Sequence, residues 1–251
     1  MMTLPRWFHR LGSPPYVYRL AGVVSPSLGA LACTLIAVGG VWGLFIAPPD
    51  YLQGDAARII YIHPQTAYVG MQAYVVLAIA AGIGFIWRLK LAHAVAVSAA
   101  PIGASFTFCA LVTGAIWGAP TWGTFWEWGD PRIMFELLLL FLFLGYMALR
   151  AAFEDRDKAD RVSAILGVVG VVNVPIIHYS VLWWNTLHQG PTITKLDAPS
   201  MTVDMLIPFL IMVFGFMFLF YWLLLDRLRA EIVEREQGAR WLRELLAEGR
   251  S

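Results

Sequence analysis

The sequence predicts an all-α polytopic membrane protein with six spanning helices, and three observations carry that prediction. Of 251 residues, 59% are hydrophobic and 14% charged, against roughly 45–50% and 25% in soluble domains. Mean hydropathy is +0.66, which implies more apolar surface than water could cover. Six windows of about 20 mostly apolar residues recur, each long enough to cross a bilayer. They are continuously apolar and too long for the alternating strands of a barrel. Helices also satisfy their own backbone hydrogen bonds, as lipid requires.

The spans fall near 27–47, 62–87, 94–118, 133–149, 162–184 and 204–225. No clear small-residue cleavage site follows the first, which reads as an uncleaved helix. Before it, residues 3–20 mix Trp7, Phe8, Tyr16 and Tyr18 with arginines, the composition of an interfacial anchor. After the sixth, residues 226–251 form a separate cytoplasmic tail, with residues 1–225 as the membrane domain. Leu228, Ile232, Leu242, Leu245 and Leu246 give the tail an apolar stripe, and Glu231–Arg235 and Glu236–Arg240 are i,i+4 pairs.

Orientation follows from the basic residues. All of the 18 Lys and Arg except Arg58, Arg132 and Lys195 fall on one side of the six spans. That side is cytoplasmic, so both termini are inside and loops 48–61, 119–132 and 185–203 face outward. A formal charge of +1 excludes nucleic acid as the main partner. Cys33 and Cys109 sit in apolar runs without CxxC spacing and read as small core residues.

The outer segment WGAPTWGTFWEWGDPR (residues 117–132) is unusual. Trp117, Trp122, Trp126 and Trp128 are too dense for an interfacial belt alone, and Phe125 lies among them. Gly118, Pro120, Gly123, Gly129 and Pro131 oppose a long regular helix here. The rings are therefore expected to line a surface suited to a large flat apolar ligand. Two roles stay open for Arg132: a local ion pair with Glu136 or Asp130, or a bond to a ligand carboxylate.

His63, followed by Pro64, lies at the outer start of the second span, and His188 just beyond the outer end of the fifth. Below His188, Trp183 and Trp184 form a further aromatic pair. Two histidines on separate outer loops beside one Trp-rich surface suit axial ligation of haem iron, which needs ligands on opposite faces. His178 lies about 9 Å inside the fifth span at 1.5 Å per residue. It is a possible additional polar site, or it helps Asn173 resatisfy backbone freed by Pro175. His9 and His93 fall on the cytoplasmic side and carry no role in this reading.

The run WGTFWEWGDPR resembles the tryptophan-rich "WWD" signature of haem-handling membrane proteins. Six helices, this loop between the third and fourth, and flanking outer histidines look like the cytochrome c maturation protein C family. Residues 100–108 (APIGASFTF), 110–118 (ALVTGAIWG) and 174–190 (VPIIHYSVLWWNTLHQG) extend the resemblance over nearly the whole chain. It implies that His63 and His188 are axial ligands of haem b at the outer membrane face. Trp117, Trp122, Phe125, Trp126, Trp128 and Asp130 would form the platform and chaperone contact. In this sequence Gly129 separates Trp128 from Asp130, and Phe125 stands where the family commonly has tryptophan.

By chemistry and position, Arg58 and Arg132 are the candidates for the haem propionates. The resemblance also implies the partners. These are a periplasmic membrane-anchored haem chaperone, the membrane and ATPase subunits of an ABC transporter, and a small single-span subunit. The site would face the periplasm from a bacterial inner membrane, and the chain would deliver haem without being an enzyme in its own right. Three rivals fit less well. A quinol-oxidising cytochrome b needs two deep histidines, and only His178 is deep. The larger cytochrome c synthase has more helices, and a haem pore needs more polar residues along its path.

Overall fold

The computed structural model describes residues 12–190, 195 and 198–248. Among these, the chain forms eight α-helices and no strand beyond an isolated Asp50–Gly54 bridge. They are α1 (Pro14–Val41), α2 (His63–Trp87), α3 (Lys90–Trp122), α4 (Pro131–Ala151), α5 (Arg156–Gly170), α6 (Asn173–Trp183), α7 (Val203–Arg235) and α8 (Arg240–Glu248). A π-turn over Trp42–Ile46 prolongs α1, and a 3-10 segment over Asp55–Tyr61 leads into α2. Six stretches are long and apolar enough to cross a membrane, α5 and α6 counting together as one.

Several boundaries move from their expected places. The first span begins at Pro14 instead of near 27, because Pro14 and Pro15 occupy the first helical turn, where a missing N–H costs nothing. Pro26 therefore lies inside the helix. It removes the N–H that would bond Gly22, and the Arg229 side chain of α7 packs against that glycine. Tyr16 and Tyr18, expected in an interfacial anchor, belong to α1, whereas Trp7 and Phe8 lie outside the described residues.

The third span continues to Trp122, so Trp117, Gly118 and Pro120 are helical and not part of a loop. What stops it is Gly123, at φ 76°, a left-handed C-cap that glycine adopts without a Cβ penalty. The fifth span breaks at Val171–Val172 into α5 and α6. Pro175 cannot donate to Val171, and its ring crowds that carbonyl. Asn173 bridges the interruption by donating Nδ2–H to Phe135 O of α4 at 2.9 Å.

The sixth span runs unbroken to Arg235, past residue 226. Glu231 and Arg235 do pair, at 2.6 Å. The expected Glu236–Arg240 pair gives way to Arg240–Glu244, and Glu236 instead accepts from Trp241 Nε1. Cys33 and Cys109 are exposed on helix surfaces, not buried in the core.

At the centre, α2 packs along α3. Their close approach depends on Gly70, where a Cβ would stand 2.5 Å from Thr107 Oγ1. α1 pairs with α7 on one flank, while α4, α5 and α6 cover the other. Tyr74, Leu77, Phe143, Tyr146 and Phe220 are wholly buried between them, with Tyr74 edge-on to Phe143 at 4.9 Å.

The Arg-rich end is closed by a buried ionic cluster. Asp160 of α5 binds Arg150 of α4 and Arg235 of α7, and Arg235 also binds Glu231. Taking charges from water is costly, so such groups persist only when mutually paired. This cluster joins three helices and leaves the opposite end to carry the site.

Candidate functional site

At that opposite end α2, α3 and α4 converge under the Trp-rich loop. A narrow cleft of about 30 Å³ runs between them, lined by His63, Trp122, Phe125, Trp126, Arg132, Glu136 and His188. Ala67, Ala110, Gly114 and Ala115 supply the small side chains of its inner wall.

His63 is the first residue of α2, where Pro64 favours a helix start. Its Nδ1 lies 3.1 Å from both Ala110 O and Thr113 Oγ1 of α3. A carbonyl only accepts, so Nδ1 carries the proton and Nε2 keeps its lone pair. Metal-binding histidines are commonly fixed this way, with the remote N–H bonded to a carbonyl. Gly114 makes room for the ring, since a Cβ there would stand 2.9 Å from His63 Cε1. Trp117 stands edge-on to the same ring at 5.7 Å, held by its Nε1 donating to Gln53 Oε1 at 2.8 Å.

His188 reaches the cleft from beyond α6. Its backbone N–H donates to Thr186 Oγ1 at 2.8 Å, and its ring lies 4.8 Å from that of Trp122. Behind it, Nδ1 is 3.4 Å from Asp130 Oδ1, close enough for ionic attraction but too poorly aligned for a hydrogen bond.

Asp130 organises this corner. It caps α4 by accepting from the Ile133 amide at 3.0 Å, and it accepts from the Leu187 amide at 2.8 Å. Burial on its own would raise its pKa; the His188 imidazole and the two amides overcome that and hold the carboxyl at about 2. With 2% of its surface exposed, Asp130 lies behind His188 and not on the aromatic surface.

The aromatic residues divide into two groups. Trp122 and Trp126 are half-buried along the cleft, and Trp126 Nε1 is buried without a partner among the described residues. Phe125 and Trp128 are 67% and 72% exposed at the rim, with Trp128 edge-on to Trp126 at 5.5 Å.

The two arginines also differ. Arg132 lines the cleft, donates Nη1–H to Ile177 O at 3.2 Å, and forms no ion pair with Glu136 or Asp130 among the described residues. Glu136 is buried one turn deeper, with Oε1 unpartnered among the described residues. Arg58 stands outside the cleft, bonded to Asp55 and to the Gly43 and Ala47 carbonyls that the π-turn leaves open. Its Nη2 makes no hydrogen bond among the described residues.

His178 does not line the cleft; it stands edge-on to Tyr179 at 4.9 Å, and Tyr179 stacks on Trp183. Sequence reasoning missed Gln53, Thr113 and Thr186. Thr113 was the most visible of them, a polar residue in the otherwise apolar run ALVTGAI.

The sequence profile of the Heme exporter protein C family matches residues 7–243. The chain belongs to this family. A Heme exporter protein C of Haemophilus influenzae is 48% identical over 240 residues, covering 96% of this chain and 97% of its own. The Escherichia coli K12 protein of the same name is 46% identical over 238 residues, covering 95% and 96%. That of Bradyrhizobium diazoefficiens is 43% identical over 225 residues, covering 90% and 85%. Family membership and six apolar spans together make the chain a multi-pass protein of the bacterial inner membrane.

The residues present fit a haem. Two imidazoles line one cleft, with Nδ1 of His63 held by a carbonyl and Nδ1 of His188 facing Asp130 at 3.4 Å; indole rings flank them, and an arginine stands beside them.

Proposed function

We propose that the chain binds haem b at the periplasmic membrane face and delivers it to a membrane-anchored haem chaperone during cytochrome c biogenesis. It would do so within an ABC-type complex that includes membrane, ATPase and small single-span subunits. One observation carries the reading: His63 and His188 share a cleft, His63 with Nδ1 bonded to the Ala110 carbonyl and His188 with Nδ1 facing Asp130, an arrangement that suits Nε2 ligation of iron.

Each residue then has a distinct task. His63 is fixed by Ala110 and Thr113, whereas His188 rests on a loop whose anchor is Asp130. Trp122 and Trp126 give the porphyrin flat apolar faces, while Phe125 and Trp128 remain at the rim for contact with the chaperone. Arg132 meets a propionate from inside the cleft, and Arg58 offers its remaining Nη2 from outside.

A 30 Å³ cleft has room for a few waters at most, far less than a porphyrin. Haem binding therefore requires the loop between α3 and α4 to swing outward. Gly123, already in the left-handed region, and Gly129 are suited to that movement. The chain positions haem and is not itself an enzyme in this reading.

Co-expression with the chaperone tests the proposal. Wild type should yield chaperone carrying covalent haem by peroxidase staining, and the His63→Ala/His188→Ala double variant should yield almost none. An undiminished band in the double variant, at equal protein level, would refute the reading.

A further inference from the structure

A second cavity lies at the Arg-rich end, far from the haem cleft. It measures about 390 Å³ and opens between α3, α4, α5 and α7. That is room for many waters.

Its walls are apolar: Pro101 of α3, Met147 of α4, and Phe153 in the turn between α4 and α5. Arg150, Arg156 and Arg227 converge on it from three different helices. Glu154 is the acidic residue among those lining it.

The arginines are not equally engaged. Arg150 is bound to Asp160 within the buried cluster, and Arg156 donates to Glu234 at 2.8 Å. Each guanidinium has five N–H donors, so neither is saturated. Arg227 is exposed and makes no ion pair among the described residues. Lys158 lies 5.1 Å above the Phe153 ring and adds positive charge beside the cavity.

We infer that this cavity binds the phosphate headgroup of an anionic glycerophospholipid from the cytoplasmic leaflet. Arg227 is the principal contact, and Arg150 and Arg156 contribute their spare donors. The cavity sits where α4 ends and α5 begins, at the ends of membrane-spanning segments, so lipid headgroups lie at the same depth. Basic recesses between spanning helices on the cytoplasmic side suit such headgroups. The inference rests on the orientation proposed above. Free phosphate offers the same anionic oxygens but would leave the wall of Pro101, Met147 and Phe153 without a partner.

The test is native mass spectrometry of the full chain in neutral detergent, titrated with phosphatidylglycerol or phosphatidylcholine, with inorganic phosphate as competitor. Wild type should retain phosphatidylglycerol preferentially, and Arg227→Ser should weaken that binding about five-fold, the contribution of one basic residue near an anionic surface. Arg243→Ser, an exposed arginine on α8, should leave it unchanged. Haem spectra of all three proteins should coincide, which separates this inference from the haem reading. Equal phosphatidylglycerol binding by wild type and Arg227→Ser would overturn the site. Full displacement by inorganic phosphate would overturn the lipid as its ligand.

Discussion

Asp130 stands behind His188, with Oδ1 3.4 Å from the imidazole Nδ1, while the same carboxylate caps α4 and holds the Leu187 amide. One side chain thus ties together the Trp-rich loop, the start of α4 and the segment carrying a proposed iron ligand. Asp130→Asn keeps a capping side chain but removes the charge facing His188. Haem affinity should fall about ten-fold or more, the usual cost of losing a residue that orients a metal ligand. Asp130→Ala should lose roughly a further 1 kcal/mol of stability with the cap. Haem titration and thermal unfolding of the two variants separate these effects. Equal affinity in wild type and Asp130→Asn would show that the carboxylate does not orient His188.

The same carboxyl makes stability depend on acid pH. Its folded pKa of about 2 lies below the unfolded value of about 3.9. The depressed pKa therefore stabilises the fold fully above about pH 4–5, and that contribution is lost as pH falls toward 2. Its size is on the order of 2 kcal/mol. Melting curves between pH 6 and pH 3 should show wild type losing stability more steeply than Asp130→Asn. Parallel curves would contradict the pairing.

Gly114 offers a steric test of His63. An alanine Cβ would press to 2.9 Å from Cε1 of the ring, a contact that real Cβ atoms essentially never make. Either the ring tilts or α3 shifts, at a cost of about 1–3 kcal/mol. Gly114→Ala should bind haem with a mixed spin state, because His63 is displaced while His188 is untouched. An unaltered low-spin spectrum would show that crowding at Gly114 does not displace the His63 ring.

At the other end of the molecule, Asp160 neutralises two arginines at once. Asp160→Asn leaves Arg150 and Arg235 with only Glu231 between them, an uncompensated charge worth about 3–5 kcal/mol. The variant should accumulate poorly and melt earlier, yet whatever folds should bind haem normally, since the cleft lies at the opposite end. Wild-type melting behaviour would show that the cluster contributes little.

The helices were legible because bilayer thickness imposes a length and an apolar composition that no soluble segment shares. The Trp-rich loop and both cleft histidines were legible for a similar reason, as residues too polar or too aromatic for their surroundings. What escaped were contacts made across sequence. Asp130 meets Leu187, Trp117 meets Gln53, and Arg58 meets carbonyls opened by a π-turn, and in each case the partner is remote and chemically ordinary. Boundaries failed at prolines. The first span, expected from about 27, begins at Pro14 and carries Pro26 inside it, and Pro175 marks a break whose place depends on how α4 receives Asn173.

The decisive measurement is the optical spectrum of the purified protein, oxidised and dithionite-reduced, beside His63→Ala and His188→Ala. Haem held between two imidazoles gives a low-spin spectrum with sharp reduced bands in wild type, weakened in each variant. If both variants keep the wild-type bands, these histidines are not the ligands. The cleft under the Trp-rich loop would then have to be read as a docking surface without iron.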